Sequence, residues 1–374
     1  MSESNRRLVV IILKLSVLGL ACWIISLNVS WLDAVELIDG TVIQGEIIDG
    51  ATPDATEVKI TADGQERVFT QGTIADEGRR LGVRYAFARL SLDQYALGML
   101  MILGMYALGI WRWQVLLAAQ SITVSYWQAF RLTFIGFFFN NLLIGMTGGD
   151  VAKAVLIARD HPGRESEAVS TVIVDRVIGL AMLAALSALA ILGNLQEFQQ
   201  LSYIVFGVLA GCLVAFVCFF SKRVRRILHL DRLLATLPGS GILMKLDRAF
   251  QLYRSAPKSL VFAFAVSVVS HLLNIGSVFV FGRDLGIEAD LTTYFATVPI
   301  VFIIAAVPMA PAGWGVREGA FIMAFMAVGV SPVYKSHILL LSVLLGFSVL
   351  AYSLIGGLFL LTGRRSGAIP IQDS

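Results

Sequence analysis

AAVPMAPAGWGVREGAF, Ala305 to Phe321, interrupts a long apolar run and then sets an arginine and a glutamate inside it. The apolar residues before it, Tyr294 to Val307, and after it, Phe321 to Val330, each fall short of the roughly 20 needed to cross a bilayer as a helix. Pro308 and Pro311 remove backbone donors and disfavour helix in the residues before them, while Gly313, Gly315 and Gly319 permit backbone shapes other residues resist. The helix is expected to stop here. Broken backbone at membrane depth is tolerated only where protein or a water-filled cavity satisfies it, and Arg317 with Glu318 is too costly to face lipid. The stretch therefore reads as one part of a transport site.

The rest of the chain fits a membrane setting. Of 374 residues 57% are hydrophobic and 15% charged, and the mean hydropathy of +0.79 marks a polytopic integral membrane protein. A formal net charge of +3 leaves no nucleic-acid footprint. Cys22, Cys212 and Cys218 all lie in apolar runs, and His161, His229, His271 and His337 are scattered without ligand spacing, so no disulfide framework, metal or cofactor is expected.

Arg6 and Arg7 precede an apolar segment, Leu8 to Leu27, read as an uncleaved anchor (residues 1–27) whose basic flank stays in the cytoplasm. Residues 28–92 are polar. VELIDG, TVIQGEII, EVKITADG and ERVFT alternate as short strands do, and Asp39-Gly40, Asp49-Gly50 and Asp63-Gly64 are hairpin dipeptides. A small extracytoplasmic β-barrel or β-sandwich of four or five strands is expected. Its DGTVIQG hairpin resembles that of SH3-like and Sm-like barrels, and it is a place where an envelope protein could dock.

Beyond it, residues 93–364 read as the transporting domain and 365–374 as a cytoplasmic tail. Full spans are expected at Tyr95–Leu117, Ala168–Leu192, Leu201–Phe220, Leu260–Phe281 and His337–Leu361, making six with the anchor. Trp111, Arg112 and Trp113 read as an interfacial anchor at the end of the first of these. The basic stretch from Lys222 to Arg254 marks the cytoplasmic side, so both termini are expected there, in a cytoplasmic or inner membrane. His271 and Asn274 suit interhelical hydrogen bonds.

Tyr126 to Ile157 does not fit as a single crossing, because Lys153, Arg159 and Arg164 would then lie outside. A re-entrant hairpin with Asn140, Asn141, Gly148 and Gly149 near its tip avoids the conflict. TGGDVAKAVLI from Thr147 aligns without gaps on AGWGVREGAFI from Ala312, placing Gly148 on Gly313 and Val151 on Val316. Two broken segments in units of opposite orientation, Tyr95–Leu192 and Leu260–Leu361, predict inverted repeats with a substrate site between them. Asp150, Lys153, Asp175, Arg176, Arg317 and Glu318 are the candidate substrate-binding or coupling residues. The arginines suit phosphate, so the expected ligand is a lipid with an anionic headgroup. Internal ion pairs that lock the hairpins are the competing reading of the same residues.

Arg112-Trp113, FFFNNLLIGMTGGDVAKA, Asp175-Arg176 with Gly179-Leu180, and PMAPAGWGVREG together resemble the transmembrane region of the lysylphosphatidylglycerol synthase and flippase family. That family also includes the membrane part of an archaeal dolichyl-phosphate sugar-transfer protein. The resemblance implies a protein that moves or presents phospholipid or isoprenoid-linked lipids between leaflets. Ile144-Gly145-Met146-Thr147, Lys153 and Ala312 depart from the family pattern, which has Pro and Gly, Arg, and Gly at these places. No aminoacyl-transfer domain is expected after the last span, so lipid aminoacylation is not expected. With no GxxxxGK[ST] loop, nucleotide hydrolysis is not expected. The alternatives are a membrane subunit of a lipid-linked glycosyl or phosphoryl transferase, with Asp150 or Glu318 as base, and an envelope scaffold.

Overall fold

A computed structural model of the protein describes residues 30–50, 54–88, 90–142, 148–193, 195–196, 198–227, 244, 247–249, 251–307 and 313–362. The expected anchor Leu8 to Leu27, Pro308, Pro311, and most of the basic stretch between Leu228 and Phe250 lie outside these residues.

Five antiparallel strands come first: β1 (Asp33–Leu37), β2 (Val42–Asp49), β3 (Glu57–Ala62), β4 (Gln65–Thr70) and β5 (Ile74–Arg80), in the order β4-β3-β2-β1-β5. The sheet is open, with β4 and β5 as its ends, and not a closed barrel. Asp63 and Gly64 both take left-handed φ and join Ala62 to Gln65 as a two-residue hairpin. Gly40, with φ of 85°, turns β1 into β2. Gly50 is also left-handed, but it opens a longer loop, since β3 begins only at Glu57. Asp33 is buried and accepts hydrogen bonds from the backbone N–H of Ile47 and of Gly82, tying the sheet to the segment that leaves it.

The helices follow: α1 (Val83–Ala88), α2 (Leu92–Ala119), α3 (Tyr126–Leu142), α4 (Gly148–Asp160), α5 (Glu165–Gly193), α6 (Gln199–Phe220), α7 (Lys222–Ile227), α8 (Pro257–Asp284), α9 (Leu291–Ala305), α10 (Val316–Ala327) and α11 (Lys335–Thr362). Among the described residues five, α2, α5, α6, α8 and α11, are long and apolar enough to cross a membrane, at the places of five expected spans. This is a polytopic helical membrane protein. The two broken stretches are helix pairs, α3 with α4 and α9 with α10. Tyr294 near the start of α9 meets Phe325 near the end of α10 edge-on at 5.2 Å, so these two run antiparallel.

Small residues set how the bundle packs. Phe281 lies against Gly98, Met101 against Gly276 and Leu273 against Gly104, so α2 and α8 run antiparallel along each other. A side chain at Gly356 would strike the carbonyl of Phe134, which fixes α11 against α3. On the other side of the bundle Ser187 of α5 donates to the carbonyl of Ala296 of α9 at 2.8 Å. The sheet sits on one end of this bundle. Ser30 N–H donates to Ser336 Oγ at 3.3 Å, β5 packs on the short turn Pro332–Tyr334, and the apolar core runs without interruption from Val35, Ile47 and Ile60 into Phe281, Tyr294 and Phe325.

Candidate functional site

The second helix break behaves as its sequence demands. Helix α9 ends at Ala305, and Gly313 and Gly315 adopt φ of 74° and 84°, conformations a β-carbon resists. Gly319, by contrast, is an ordinary helical residue inside α10. The first turn of α10 leaves backbone N–H groups without helical partners, and Glu318 supplies one: its Oε2 accepts from Gly315 N–H at 2.5 Å. Its Oε1 accepts from Arg317 Nη2 at 2.6 Å and from Ser342 Oγ at 3.0 Å, while Arg317 Nε donates to the same Ser342 oxygen at 3.0 Å. The Arg317 guanidinium lies over the Trp314 ring, 4.9 Å from its centroid. Arg317 and Glu318 are 4% and 2% exposed, so this ion pair is almost wholly enclosed by protein. Gly346 of α11 is the clearance for both Arg317 and Trp314.

The first break is built differently. Gly148 and Gly149 are not bent backbone but the first two residues of α4, and both are buried. Their smallness matters for packing: a side chain at Gly149 would collide with the carbonyl of Gly136 on α3. Asn140 Oδ1, near the end of α3, accepts from Gly149 N–H at 2.6 Å and so closes the start of α4. Asn141 and the residues 143–147 lie outside the described side chains.

Below this break stands a ladder of charge. Asp150 pairs with Arg176. Asp175 Oδ1 accepts from Arg112 Nε at 2.7 Å, and Arg112 Nη1 donates to Ser267 Oγ at 2.7 Å. Lys153, 7% exposed, holds its ammonium 3.6 Å from the centroid of the Trp113 ring. Trp113 is fully buried and is fixed in turn by donating Nε1–H to Thr171 Oγ1 at 3.0 Å. Reading Arg112 and Trp113 as an interfacial anchor is therefore wrong. Helix α2 runs on to Ala119, which draws both residues into the bundle, and only Trp111, 45% exposed, keeps an outward position.

One cavity of about 290 Å³ gathers these groups. Asp150, Lys153, Asp175, Arg176 and Arg317 all line it, joined by Arg112, and Glu318 stands behind Arg317 without reaching it. Gly149, Asn140 and Trp314 bring both helix breaks to the same cavity, and the remaining wall is largely apolar, with Ile102, Tyr106, Phe137 and Phe302. Three of the four cations are matched: Arg112 by Asp175, Arg176 by Asp150 and Arg317 by Glu318. Lys153 is the fourth, and among the described residues no carboxylate is in salt-bridge contact with it. His271 lines the cavity from α8 and its Nε2 meets the carbonyl of Gly179 at 3.0 Å, an interhelical bond of the expected kind. No group of three His, Cys, Asp or Glu that could hold a metal is gathered among the described residues.

Residues 82–361 match the family model described as the lysylphosphatidylglycerol synthase TM region. A UPF0104 membrane protein of Pyrococcus horikoshii is 25% identical over 282 residues, covering 68% of this chain and 83% of the relative. A UPF0104 membrane protein of Methanothermobacter thermautotrophicus is 22% identical over 288 residues, covering 71% and 82%. No solved structure matches. The family match begins just after β5, so the sheet lies outside it. Since the match takes in every helix that lines the cavity and well over half of the sequence, the chain belongs to the lysylphosphatidylglycerol synthase transmembrane-region family.

Proposed function

We propose that the protein moves a lipid with an anionic headgroup, a phospholipid or an isoprenoid-linked lipid, between the two leaflets of a membrane. The observation that carries this reading is Lys153: a buried residue on the cavity wall whose ammonium rests on the Trp113 ring, while every other cation of that wall already has its carboxylate. An unmatched charge inside a bilayer-spanning bundle is costly and is kept where an anion comes to meet it. The apolar remainder of the wall suits acyl or isoprenoid chains.

In this reading α3–α4 and α9–α10 are re-entrant hairpins. Their arms of 17, 13, 15 and 12 residues come to about 25, 20, 23 and 18 Å, short of the roughly 30 Å of hydrocarbon. The units α2–α5 and α8–α11 form inverted repeats. Supporting this, α2 and α8 lie antiparallel, and the packing is reciprocal, with the first hairpin on the last span of the second unit and the second hairpin on the last span of the first. The sheet faces outside, both termini lie in the cytoplasm, and the membrane is the cytoplasmic or inner one. Residues 1–27 anchor the chain, 28–92 form the external module open to an envelope partner, 93–364 carry transport and 365–374 form the tail.

Purified protein in liposomes with a fluorescent anionic lipid tests this. Crossing should be accelerated by the wild type and fall roughly tenfold or more in Lys153→Met, the loss expected for one charge-assisted hydrogen bond. A chemically altered lipid recovered from the vesicles moves the reading to a lipid-linked transferase, and the absence of accelerated crossing overturns transport.

A further inference from the structure

The cavity carries a second set of polar groups whose chemistry differs from that of the charge ladder. Thr133 of α3 and Ser270 of α8 are 7% and 3% exposed and line the cavity, yet neither hydroxyl has a hydrogen-bond partner among the described residues. Their behaviour stands out against comparable residues. Ser267, Thr297 and Ser348 each turn the hydroxyl back onto the carbonyl four residues earlier, the usual refuge of a hydroxyl in an apolar helix. Thr133 and Ser270 leave that refuge unused. Next to Ser270, His271 spends Nε2 on the Gly179 carbonyl, which requires a proton on Nε2 and leaves Nδ1 of the neutral ring as an acceptor. That nitrogen too is buried and unpartnered among the described residues. Asn274, one turn further along α8, adds an amide to the same wall.

Buried hydroxyls and ring nitrogens without partners are costly, and three of them on one cavity form a wall that a hydroxylated ligand would complete. We infer that Thr133, Ser270 and His271 form a subsite for the hydroxyl groups of a polyol headgroup, a glycerol, inositol or sugar phosphodiester, and that the cavity prefers such lipids to those with ethanolamine or choline headgroups. This rests on the lipid reading and deepens it. An ethanolamine ammonium can donate hydrogen bonds but cannot accept them, and a choline ammonium can do neither, so such headgroups leave the Thr133 and Ser270 hydroxyl protons unpaired. A neutral hydroxyl leaves no such gap, since the hydroxyls of Thr133 and Ser270 can both donate to it and accept from it.

The test compares binding first and crossing second. Phosphatidylglycerol and phosphatidylethanolamine with identical acyl chains are titrated onto the detergent-solubilised full-length protein and quantified by native mass spectrometry, for wild type and for the double variant Thr133→Val, Ser270→Ala. Wild type should favour the glycerol lipid by roughly tenfold or more, and the double variant should bring the ratio most of the way to unity. Equal binding of the two lipids, or a preference untouched by the double variant, overturns the inference. Should the double variant fail to fold, His271→Gln, which keeps a hydrogen-bonding amide to Gly179 but repositions the acceptor, is read in the same assay and by the same criteria. Deacylated glycerophosphoglycerol is the third ligand: binding as tight as the intact lipid keeps the hydroxyl subsite and assigns it to a soluble polyol phosphate. Selective binding without accelerated crossing in liposomes sinks the transport reading and leaves the subsite standing.

Discussion

Lys153 and Glu318 occupy corresponding positions in the two aligned motifs, and their surroundings make opposite demands on them. Glu318 holds a helix start, an arginine and a serine at once, so Glu318→Gln strands the Arg317 guanidinium in a site 4% exposed. Breaking a buried pair from one side should cost about 3 kcal/mol, visible as a lowered melting temperature in detergent. Lys153→Met removes a buried charge without stranding a salt-bridge partner, since Asp175 keeps Arg112 and Asp150 keeps Arg176, and the thioether can rest on the Trp113 ring. That variant should melt no lower than wild type while losing the proposed lipid crossing, a separation that a purely structural role for Lys153 does not give. The second break and its Arg-Glu pair were legible because proline, glycine and charge fall together in one short stretch. Arg112 and Trp113 were not, because what buries them is remote: the Asp175 carboxylate is 63 residues from Arg112 in sequence. An Arg-Trp pair seven residues before a helix end reads locally as an interface, and only the tertiary partner turns it inward.

Helix ends and close crossings decide whether the elements hold their places. Gly356 lets α11 rest directly on the backbone of α3, so Gly356→Ala should loosen the first hairpin at a cost of about 1–3 kcal/mol, measurable by chemical denaturation in mixed micelles. The start of α9 depends on Asp290, whose carboxylate accepts from Thr293 N–H at 2.9 Å and from the Thr293 hydroxyl. Asp290→Ala should cost about 1 kcal/mol, the usual value of an N-cap. Partial burial pushes the pKa of this carboxyl up, but the hydrogen bonds from Thr293 outweigh it and leave the pKa below its ordinary 3.8. The cap is therefore fully present above that value and lost as pH falls through the lower, folded one. In hydrogen exchange the first turn of α9 should open below about pH 4 in wild type and at every pH in the alanine variant. The strands were legible from alternation and turn dipeptides, and two of the three dipeptides do make tight turns. The third was misread because a left-handed glycine after aspartate fits the start of any loop as well as a hairpin. Open or closed sheet topology depends on whether the two edge strands, here β4 and β5, pair with each other, which no local pattern encodes.

At the scale of the molecule, the two helix pairs come to one cavity because each rests on a full-length helix of the other unit, α3 on α11 and α9 on α5. The ungapped motif alignment pointed to this arrangement without containing it, since the two breaks solve the same problem by different chemistry. Asn140 closes the start of α4 from the preceding helix, whereas Glu318 closes the start of α10 from within. Such partial symmetry makes a definite topological demand. If the units are inverted, the loop after the first hairpin and the loop before the second must lie on opposite sides of the membrane. Arg159 and Glu288, both exposed, mark those two places. With Cys22, Cys212 and Cys218 replaced by serine, Glu288→Cys should react with a membrane-impermeant maleimide added to intact cells, and Arg159→Cys should react only after the membrane is opened. Reaction of both from the same side would place the two hairpins in units of like orientation. The reciprocal packing would then be a coincidence of sequence order, and a substrate path shared between inverted halves would have no structural support.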